Sequence, residues 1–164
     1  MEDCKPVSTP ILKEGLTEKK KEDKSNREIF PYREAVGALM YLMLCTRPDL
    51  AYCVGILSRF LENPSKDDWT KVKRVFRYIA GSLTKGVTYK NKYKPGILEC
   101  YSDADFGGCQ ETGKSTSGVV ILYSGGAISW ISQRQTVVAT STTEAEVIAA
   151  SECSREVILV KATI

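Results

Sequence analysis

The chain has 164 residues with a formal net charge of +3, and 43% of its residues are apolar. This composition is typical of a globular protein with room for one domain and part of another. Histidine is absent, which excludes Ser-His-Asp and Cys-His catalysis and zinc held by imidazole. Any catalysis must therefore use carboxylates, lysine, cysteine or a metal ion bound by oxygen.

The cysteines and the polar N-terminus indicate an intracellular protein. No two cysteines lie close enough in sequence for a C-x-x-C metal or redox pair, and the chain shows no signal peptide. The longest apolar run, Ala35 to Cys45, is too short to cross a bilayer. We therefore expect reduced thiols, no membrane partner and a cytoplasmic or nuclear protein that is not secreted. The six cysteines are Cys4, Cys45, Cys53, Cys100, Cys109 and Cys153.

The first predicted segment, residues 1–30, resembles a flexible tail or linker. Its sequence "KEGLTEKKKEDKSNRE" has almost no apolar residues and nearly balanced charge. Such a segment cannot bury enough surface to offset the entropy of ordering it.

Residues 31–94 predict a small unit of three short helices. Pro48 suits the first turn of the second helix, and Ser65 with Asp68 forms a capping box for the third. Gly81 ends the third helix. The expected buried stripes are Val36, Leu39, Met40 and Met43, then Ala51, Val54, Leu57 and Leu61, then Trp69, Val72, Phe76 and Ile79.

The third helix lies in a strongly basic segment. Between Lys66 and Lys94 there are nine cations and two acids, a net +7, so the rest of the chain carries −4. A basic segment beside a more acidic one suits a nucleic-acid-binding protein, although an ordinary solvated helix face has the same composition. The candidate phosphate contacts are Lys71, Lys73, Arg74 and Arg77.

Residues 95–164 predict three strands and a terminal helix. The segment "ILECYSDADF" alternates with period two, and "GVVILYSGG" and "AISWISQRQ" are joined by a tight turn at Gly125-Gly126. The helix begins near Ser141 and runs to the end of the chain. The fold class is therefore α+β, with a helical unit followed by three antiparallel strands and one helix.

The stretch from Gly108 to Ser115 matches G-x-x-x-x-G-K-[ST], the phosphate-binding loop of nucleotide hydrolases. That loop requires a helix starting at the Lys, so that free backbone N–H groups point at the phosphates. Here the sequence "STSGVVILYSGG" after Lys114 is typical of a strand. A polar hairpin loop is the favoured interpretation, and no nucleotide partner is expected.

Two acidic residues stand out as site candidates. Asp103 lies near the end of the first strand, and Glu146 begins the helical stripe Glu146, Ala150, Cys153, Val157 and Val160, which should pack on the sheet. With Ser141 as N-cap, Glu144 completes a capping box and leaves Glu146 for another role. If Thr143 were the cap, Glu146 would be the capping partner instead. Convergence of Asp103 and Glu146 would favour a bound Mg²⁺, because adjacent carboxylates repel and magnesium prefers oxygen.

At these residues the sequence resembles a known family. The runs "YSDAD", "KSTSG" and "STTEAE" are similar to the ribonuclease H domain of copia-type retrotransposon Pol polyproteins. The segment from Pro31 to Tyr89 resembles the connection between reverse transcriptase and that domain. The N-terminal stretch "MEDCKPVSTP" resembles the tail of the polymerase region. The resemblance implies that residues 1–30 are the end of the polymerase region and that residues 31–94 are a thumb- or connection-like segment. It implies that residues 95–164 are a partial ribonuclease H-like domain.

The resemblance implies hydrolysis of the RNA strand of RNA–DNA hybrids by two Mg²⁺ ions held by four acids. Asp103 would be the first-strand acid and Glu146 the helix acid, with Asp105 a weaker candidate. In the family the other two acids follow the helix, and after Glu146 this chain has only Glu152 and Glu156. The polymerase motif Y-x-D-D is also absent.

The acid set is therefore expected to be incomplete, with weak or no magnesium binding and little nuclease activity in the chain alone. Missing acids could come from the rest of a Pol polyprotein or from another chain. The alternative is a non-catalytic module that binds hybrid or other nucleic acid through residues 66–94, and an unexpressed or unstable relic is a third interpretation.

Overall fold

A computed structural model describes residues 4–12, 30–90 and 96–163 of the chain. It divides the chain into two compact units, residues 1–86 and 87–164. The predicted tail falls partly on residues 1–3 and 13–29, which lie outside the described residues. In the described ranges no helix is long and apolar enough to cross a membrane.

The first unit contains the three predicted helices. They are α1 (Tyr32–Cys45), α2 (Ala51–Leu57) and α3 (Lys66–Ala80). Short 3-10 turns at Pro48–Leu50 and Ser58–Phe60 extend α2 at its two ends, and Pro48 stands in the first turn as predicted.

The start and end of α3 follow the predicted signals. The Ser65 hydroxyl accepts a hydrogen bond from the Asp68 backbone N–H at 3.2 Å, and the Asp68 carboxylate accepts one from the Ser65 N–H at 3.0 Å. This is the predicted capping box, which satisfies two backbone donors that the helix leaves free. Gly81 is the C-cap.

The core of the first unit lies between the three helices. Of the predicted stripes, Val36, Leu39, Ala51, Val54, Leu57 and Val72 are buried, whereas Met40 is 38% exposed. The stripe on α3 is wider than predicted, because Val75 and Tyr78 are also buried. The buried hydroxyl of Tyr32 donates to the backbone carbonyl of Leu57 at 2.9 Å, which ties α1 to the end of α2. The buried cluster consists of Tyr32, Val36, Leu39, Leu50, Cys53, Val54, Leu57, Val72, Val75 and Tyr78.

The second unit is a three-stranded antiparallel sheet followed by one helix, which confirms the predicted α+β class. The strands are β1 (Leu98–Asp105), β2 (Thr116–Tyr123) and β3 (Gly126–Arg134), in the spatial order β1-β2-β3, and the helix is α4 (Thr142–Thr163). The turn between β2 and β3 consists of Ser124 and Gly125, both with positive φ, as two-residue hairpins require. It lies one residue before the predicted Gly125-Gly126 pair, since Gly126 already belongs to β3.

One side of the sheet packs against α4. Val119, Ile121 and Cys153 form the buried centre, with Leu98, Ile128, Ile131, Val157 and Val160 around them. The predicted start of the helical stripe is wrong by one residue. Ala145 and Ala149 are buried, whereas Glu146 and Ala150 are exposed. Both sets have helical spacing, but small alanines can approach the sheet closely, whereas a buried unpaired carboxylate would cost free energy.

Candidate functional site

One end of the sheet gathers the end of β1, the start of β2 and the start of α4. Ala104 pairs with Ser117 in the β1–β2 register. The Gln135 side-chain nitrogen donates to the Ser117 hydroxyl at 3.0 Å and to the Ala145 carbonyl at 2.9 Å. Gln135 is only 1% exposed, so these two hydrogen bonds form in a low-dielectric setting where they fix position strongly. This cluster of Ser117, Gln135 and Ala145 is called the Gln135 bridge below.

Asp103 and Glu146 are the immediate sequence neighbours of residues that the Gln135 bridge positions. Asp103 precedes Ala104, and Glu146 follows Ala145. Both candidate acids therefore lie at the same end of the second unit, as the magnesium hypothesis requires.

The side chains of Asp103 and Glu146 lie on different surfaces at that end, one on the sheet and one on α4. Side chains on opposite strands share a face when their residues pair, and successive residues alternate between faces. Val119, which packs under α4, pairs with Ser102, so Asp103 stands on the sheet face away from α4. Glu146 is exposed on α4 itself. Their convergence on one cation stays a prediction.

Asp105, the weaker candidate, has a structural partner. Its carboxylate accepts a hydrogen bond from the Thr116 backbone N–H at 2.6 Å, which closes the base of the β1–β2 loop. The carboxylate also lies against Gly108, where an added Cβ would overlap it. A side chain at Gly108 would therefore displace Asp105 from the loop.

The described carboxylates are not grouped as a two-magnesium centre would require. Within the described ranges, no group of three or more His, Cys, Asp or Glu side chains is placed to hold a metal ion. Of the two later acids, Glu156 accepts a hydrogen bond from the Ser129 hydroxyl at 2.7 Å on the sheet-facing flank of α4. One carboxylate oxygen of Glu152 is buried and has no hydrogen-bond partner within the described chain.

The start of α4 follows the predicted cap with one change. The Ser141 hydroxyl accepts from the Glu144 N–H at 3.1 Å, so Ser141 rather than Thr143 is the capping residue. The Glu144 carboxylate reaches one residue further back, to the Thr140 N–H and hydroxyl, both at 2.6 Å. These hydrogen bonds hold the pKa of Glu144 below its ordinary value. Glu146 takes no part in these cap hydrogen bonds.

The loop with the phosphate-loop pattern is a hairpin connection, as predicted. It leads from β1 into β2, so no helix begins at Lys114. Its polar side chains hold the loop itself: buried Ser115 accepts from the Gly107 N–H at 3.1 Å, and Lys114 donates to the Thr136 carbonyl at 2.5 Å. The arrangement lacks the row of free helix N–H groups that binds phosphate in nucleotide hydrolases.

The same loop carries a thiol with a shifted pKa. A hydrogen bond involving Thr112 is the main cause that lowers the pKa of Cys109 to about 7, and Arg134 contributes as well. The Arg134 guanidinium lies 3.6 Å from the Cys109 sulfur. A positive neighbour stabilises the thiolate, which is the nucleophilic form of cysteine.

The four candidate phosphate-binding cations on α3 have different environments. Lys73 is exposed. Lys71 forms an ion pair with Asp68 at 3.0 Å, and its side chain is 20% exposed. It also lies over the Phe60 ring, 5.6 Å from the ring centre. The positive charge of Lys71 is therefore partly neutralised by contacts within the first unit.

Arg74 and Arg77 contact the N-terminal segment of residues 4–12. Arg74 donates to the Thr9 hydroxyl at 2.9 Å, and Arg77 donates to the Lys5 carbonyl at 2.7 Å. Sequence reasoning assigned this segment to a tail, yet Val7 and Ile11 pack against the core of the first unit. The sequence signal for this packing is the pair of apolar residues Val7 and Ile11 beside the two prolines.

Sequence reasoning also missed the Gln135 bridge. Ser115, Thr116 and Ser117 are all buried, as is Gln135. Three successive hydroxyl side chains before an apolar strand indicate a buried polar cluster, but nothing in the sequence connects them to Gln135 or Ala145.

The chain is similar to transposon polyproteins along almost its whole length. It is 46% identical over 98% of its length to the retrovirus-related Pol polyprotein from transposon TNT 1-94 of Nicotiana tabacum, and 38% identical over 93% to that from transposon RE2 of Arabidopsis thaliana. It spans only 12% and 10% of those two polyproteins. It is also 45% identical over 78% of its length to secreted RxLR effector protein 161 of Plasmopara viticola, of which it covers 89%. No protein-family model and no solved structure matches the chain.

Proposed function

Since the chain belongs to the retrotransposon Pol polyproteins, we propose that it is a fragment or relic of a copia-type polyprotein with ribonuclease H ancestry. In this proposal the second unit retains the first three strands and first helix of that nuclease. It does not cleave RNA–DNA hybrids by itself.

The observation that carries the proposal is the Gln135 bridge. It holds the start of α4 at the end of the sheet where β1 ends. Asp103 and Glu146 thereby lie at the same end of the second unit, and the family resemblance assigns them as the first-strand acid and the helix acid.

The proposed lack of activity follows from charge and ligand number. Two-metal hydrolysis needs two cations about 4 Å apart, each bound by protein groups. Asp103 and Glu146 supply a charge of −2 against the +4 of two magnesium ions, and Asp105 is engaged with Thr116. Efficient cleavage would need further carboxylates, which we propose come from other parts of a Pol polyprotein.

A hybrid-cleavage assay tests this proposal. The purified chain is incubated with Mg²⁺ and an RNA–DNA hybrid labelled on the RNA strand, with an intact ribonuclease H as positive control. We expect the RNA strand to stay intact. Cleavage by the wild-type chain that disappears in Asp103→Asn would contradict the proposal, because it would show a complete catalytic centre.

A second function is favoured by the cations of α3. We propose that the chain binds the sugar–phosphate backbone of a hybrid or other nucleic acid through the cations of α3, which lie in the basic segment 66–94. The exposed Lys73 and the guanidinium groups of Arg74 and Arg77 are the groups that would contact phosphates. Such binding weakens steeply as salt concentration rises, because neutralised phosphates release condensed counterions.

Salt titration of hybrid binding tests this second function. Replacing Lys73, Arg74 and Arg77 by Gln removes three positive charges while the side chains stay long and polar. We expect the slope of log K against log salt to become shallower by about 0.9 for each phosphate that the variant no longer neutralises. An unchanged affinity and slope in the triple variant would exclude α3 as the binding surface.

The cysteines support an intracellular setting for either function. All six are free thiols in the structure, and Cys53 and Cys153 are buried. We propose that the protein acts in the reducing cytoplasm or nucleus, where a nucleic-acid partner is present.

A further inference from the structure

Residues 4–12 form a strap that crosses the C-terminal half of α3. Two of its side chains, Val7 and Ile11, pack against the apolar core of the first unit. Where the strap passes the end of α3, a Cβ added at Gly81 would lie 2.8 Å from the Pro6 Cβ. Gly81 has an ordinary negative φ of −82°, so its missing side chain matters here because it lets Pro6 approach.

The strap uses the two arginines proposed to contact nucleic acid. Arg77 donates through Nε to the Lys5 carbonyl at 2.7 Å, and Arg74 donates through Nη2 to the Thr9 hydroxyl at 2.9 Å. Each guanidinium presents its donors as a rigid planar fork. While the strap is closed, Arg77 therefore cannot offer a phosphate the paired contact through Nε and Nη2, and Arg74 has one Nη2–H fewer to offer.

The interaction of Arg74 with the strap is incomplete. Its Nε–H is buried and has no hydrogen-bond partner in the described part of the chain. A buried donor without an acceptor loses its hydration without compensation. Val7 and Ile11 thus hold the strap down, while the Arg74 Nε–H still lacks the acceptor that a phosphate oxygen would provide.

From this balance we propose that the strap is an autoinhibitory segment that competes with a phosphodiester backbone for Arg74 and Arg77. When the strap is closed, the Lys5 carbonyl accepts from Arg77 Nε and the Thr9 hydroxyl accepts from Arg74 Nη2. When it opens, both guanidinium groups turn to phosphates, and the free Arg74 donor gains an acceptor. The inference rests on the proposed nucleic-acid binding by α3 and adds a control step to it.

The test uses the full chain with the apolar anchors weakened. Val7→Ser together with Ile11→Ser removes the anchoring surface without changing charge. The matched control is Val137→Ser with Val138→Ser, two valines of the second unit that are already about half exposed, at 52% and 53%. Amide hydrogen exchange of residues 4–12 reports strap opening, and fluorescence anisotropy with a labelled RNA–DNA hybrid reports binding.

The anchor variant is expected to exchange faster in residues 4–12 and to bind the hybrid more tightly. If the wild-type strap is closed about nine tenths of the time, full opening tightens the apparent affinity about tenfold. The slope of log K against log salt should steepen by ~1 to ~2, because one or two further phosphates are neutralised. Adding Arg74→Gln and Arg77→Gln to the anchor variant should remove the increase in affinity, and the valine control should behave as wild type.

Three results would overturn the inference, and they separate it from the proposed function. Faster exchange with unchanged affinity and slope refutes the competition while leaving nucleic-acid binding intact. Unchanged exchange refutes the claim that Val7 and Ile11 hold the strap. Absence of hybrid binding by both wild type and anchor variant at low salt refutes the proposed binding function and the inference with it.

A second variant covers the case in which the anchor variant does not fold. Thr9→Val removes the acceptor for Arg74 but keeps the shape of the strap and leaves the core untouched. It should give a smaller increase in affinity. A decrease in affinity in Thr9→Val would contradict the competition, because it would mean that the strap supports binding.

Discussion

The side-chain nitrogen of Gln135 donates a 2.9 Å hydrogen bond to the backbone carbonyl of Ala145. This hydrogen bond joins the residue after β3 to the first turns of α4. The same nitrogen donates to Ser117 on β2. This buried amide therefore helps to fix the start of α4, which carries Glu146, against the sheet that carries Asp103.

Replacing Gln135 by Ala should destabilise the second unit. The change leaves the buried Ser117 hydroxyl with one hydrogen bond fewer and opens a cavity, so we expect a loss of about 2–3 kcal/mol. Urea unfolding followed by Trp130 fluorescence, in a Trp69→Phe background, measures it. Gln133→Ala is the control, since Gln133 is exposed at the end of β3 and its replacement should cost less than ~0.5 kcal/mol. Equal effects of the two changes would contradict the role given to Gln135.

Asp68 and Asp67 are adjacent acids in the first turn of α3 with different roles. Asp68 is 2% exposed, caps the helix and pairs with Lys71. Asp68→Ala should cost about 2–3 kcal/mol, because it removes the carboxylate half of the capping box and the buried partner of Lys71. Asp67→Ala should cost ~0.5 kcal/mol, because exposed Asp67 contributes only its charge near the helix N-terminus. Trp69 fluorescence during urea unfolding measures the free energy of unfolding of each variant. A larger loss of stability in Asp67→Ala than in Asp68→Ala would refute the role given to Asp68.

The first unit should lose stability in acid through Asp49 and Asp68. Burial raises the pKa of each carboxyl, but hydrogen bonds lower it by more. At Asp49 these hydrogen bonds come from Arg47 and Tyr78. At Asp68 they come from Ser65 and Lys71. Both folded-state pKa values therefore lie below the unfolded value of about 3.9. The resulting stabilisation is complete above that value and is lost as pH falls through the folded-state pKa values.

The control for the acid effect is the double variant Asp49→Asn and Asp68→Asn. It should be less stable at neutral pH, and its unfolding free energy should change less between about pH 5 and about pH 2. Chemical unfolding at a series of pH values measures both curves. Parallel curves for wild type and variant would show that other groups govern the acid response.

Cys109 should react with iodoacetamide at lower pH than an ordinary surface thiol. Its pKa is lowered to about 7 by the Thr112 hydrogen bond and by Arg134. Exposed Cys45 serves as the internal comparison. Thr112→Val and Arg134→Gln should each shift the half-maximal rate of Cys109 alkylation to higher pH. Peptide mass spectrometry resolves the two sites, and an unshifted profile in both variants would contradict the stated cause.

Local signals predicted most of the fold. The capping box at Ser65 and Asp68, the proline start of the second helix and the period-two strands all act within a few residues, so the sequence carries them directly. The α+β class and the hairpin nature of the Gly108–Ser115 loop followed from the same signals. The turn at Ser124-Gly125 differs from prediction by one residue, since Gly-Gly alone does not fix the register.

Long-range contacts were not predictable. The stripe on α4 could begin at Ala145 or Glu146 by spacing alone, and only packing against Val119 and Ile121 selects the alanine. Gln135 resembles any polar residue after a strand until its partners 18 and 10 positions away are known. The strap resembles a tail in sequence, because its anchors, Val7 and Ile11, are partly buried only by helices that follow later in the chain.

The sequence supplies candidate residues for a site, but it does not supply their geometry. Asp103 and Glu146 were singled out by position in the sequence, and the structure places both at one end of the second unit. Which sheet face Asp103 occupies depends on the β1–β2 register, which the sequence does not specify. Arg74 and Arg77 were recognised as cations, whereas their hydrogen bonds to the strap were not foreseen.

We propose that the carboxylates in this chain do not support two-metal cleavage of an RNA–DNA hybrid. The most direct measurement is RNA-strand cleavage by the purified wild-type chain in Mg²⁺, beside Asp103→Asn and Glu146→Gln. The account predicts an intact RNA strand in all three reactions. Magnesium-dependent cleavage by the wild-type chain that is abolished in both variants would contradict it.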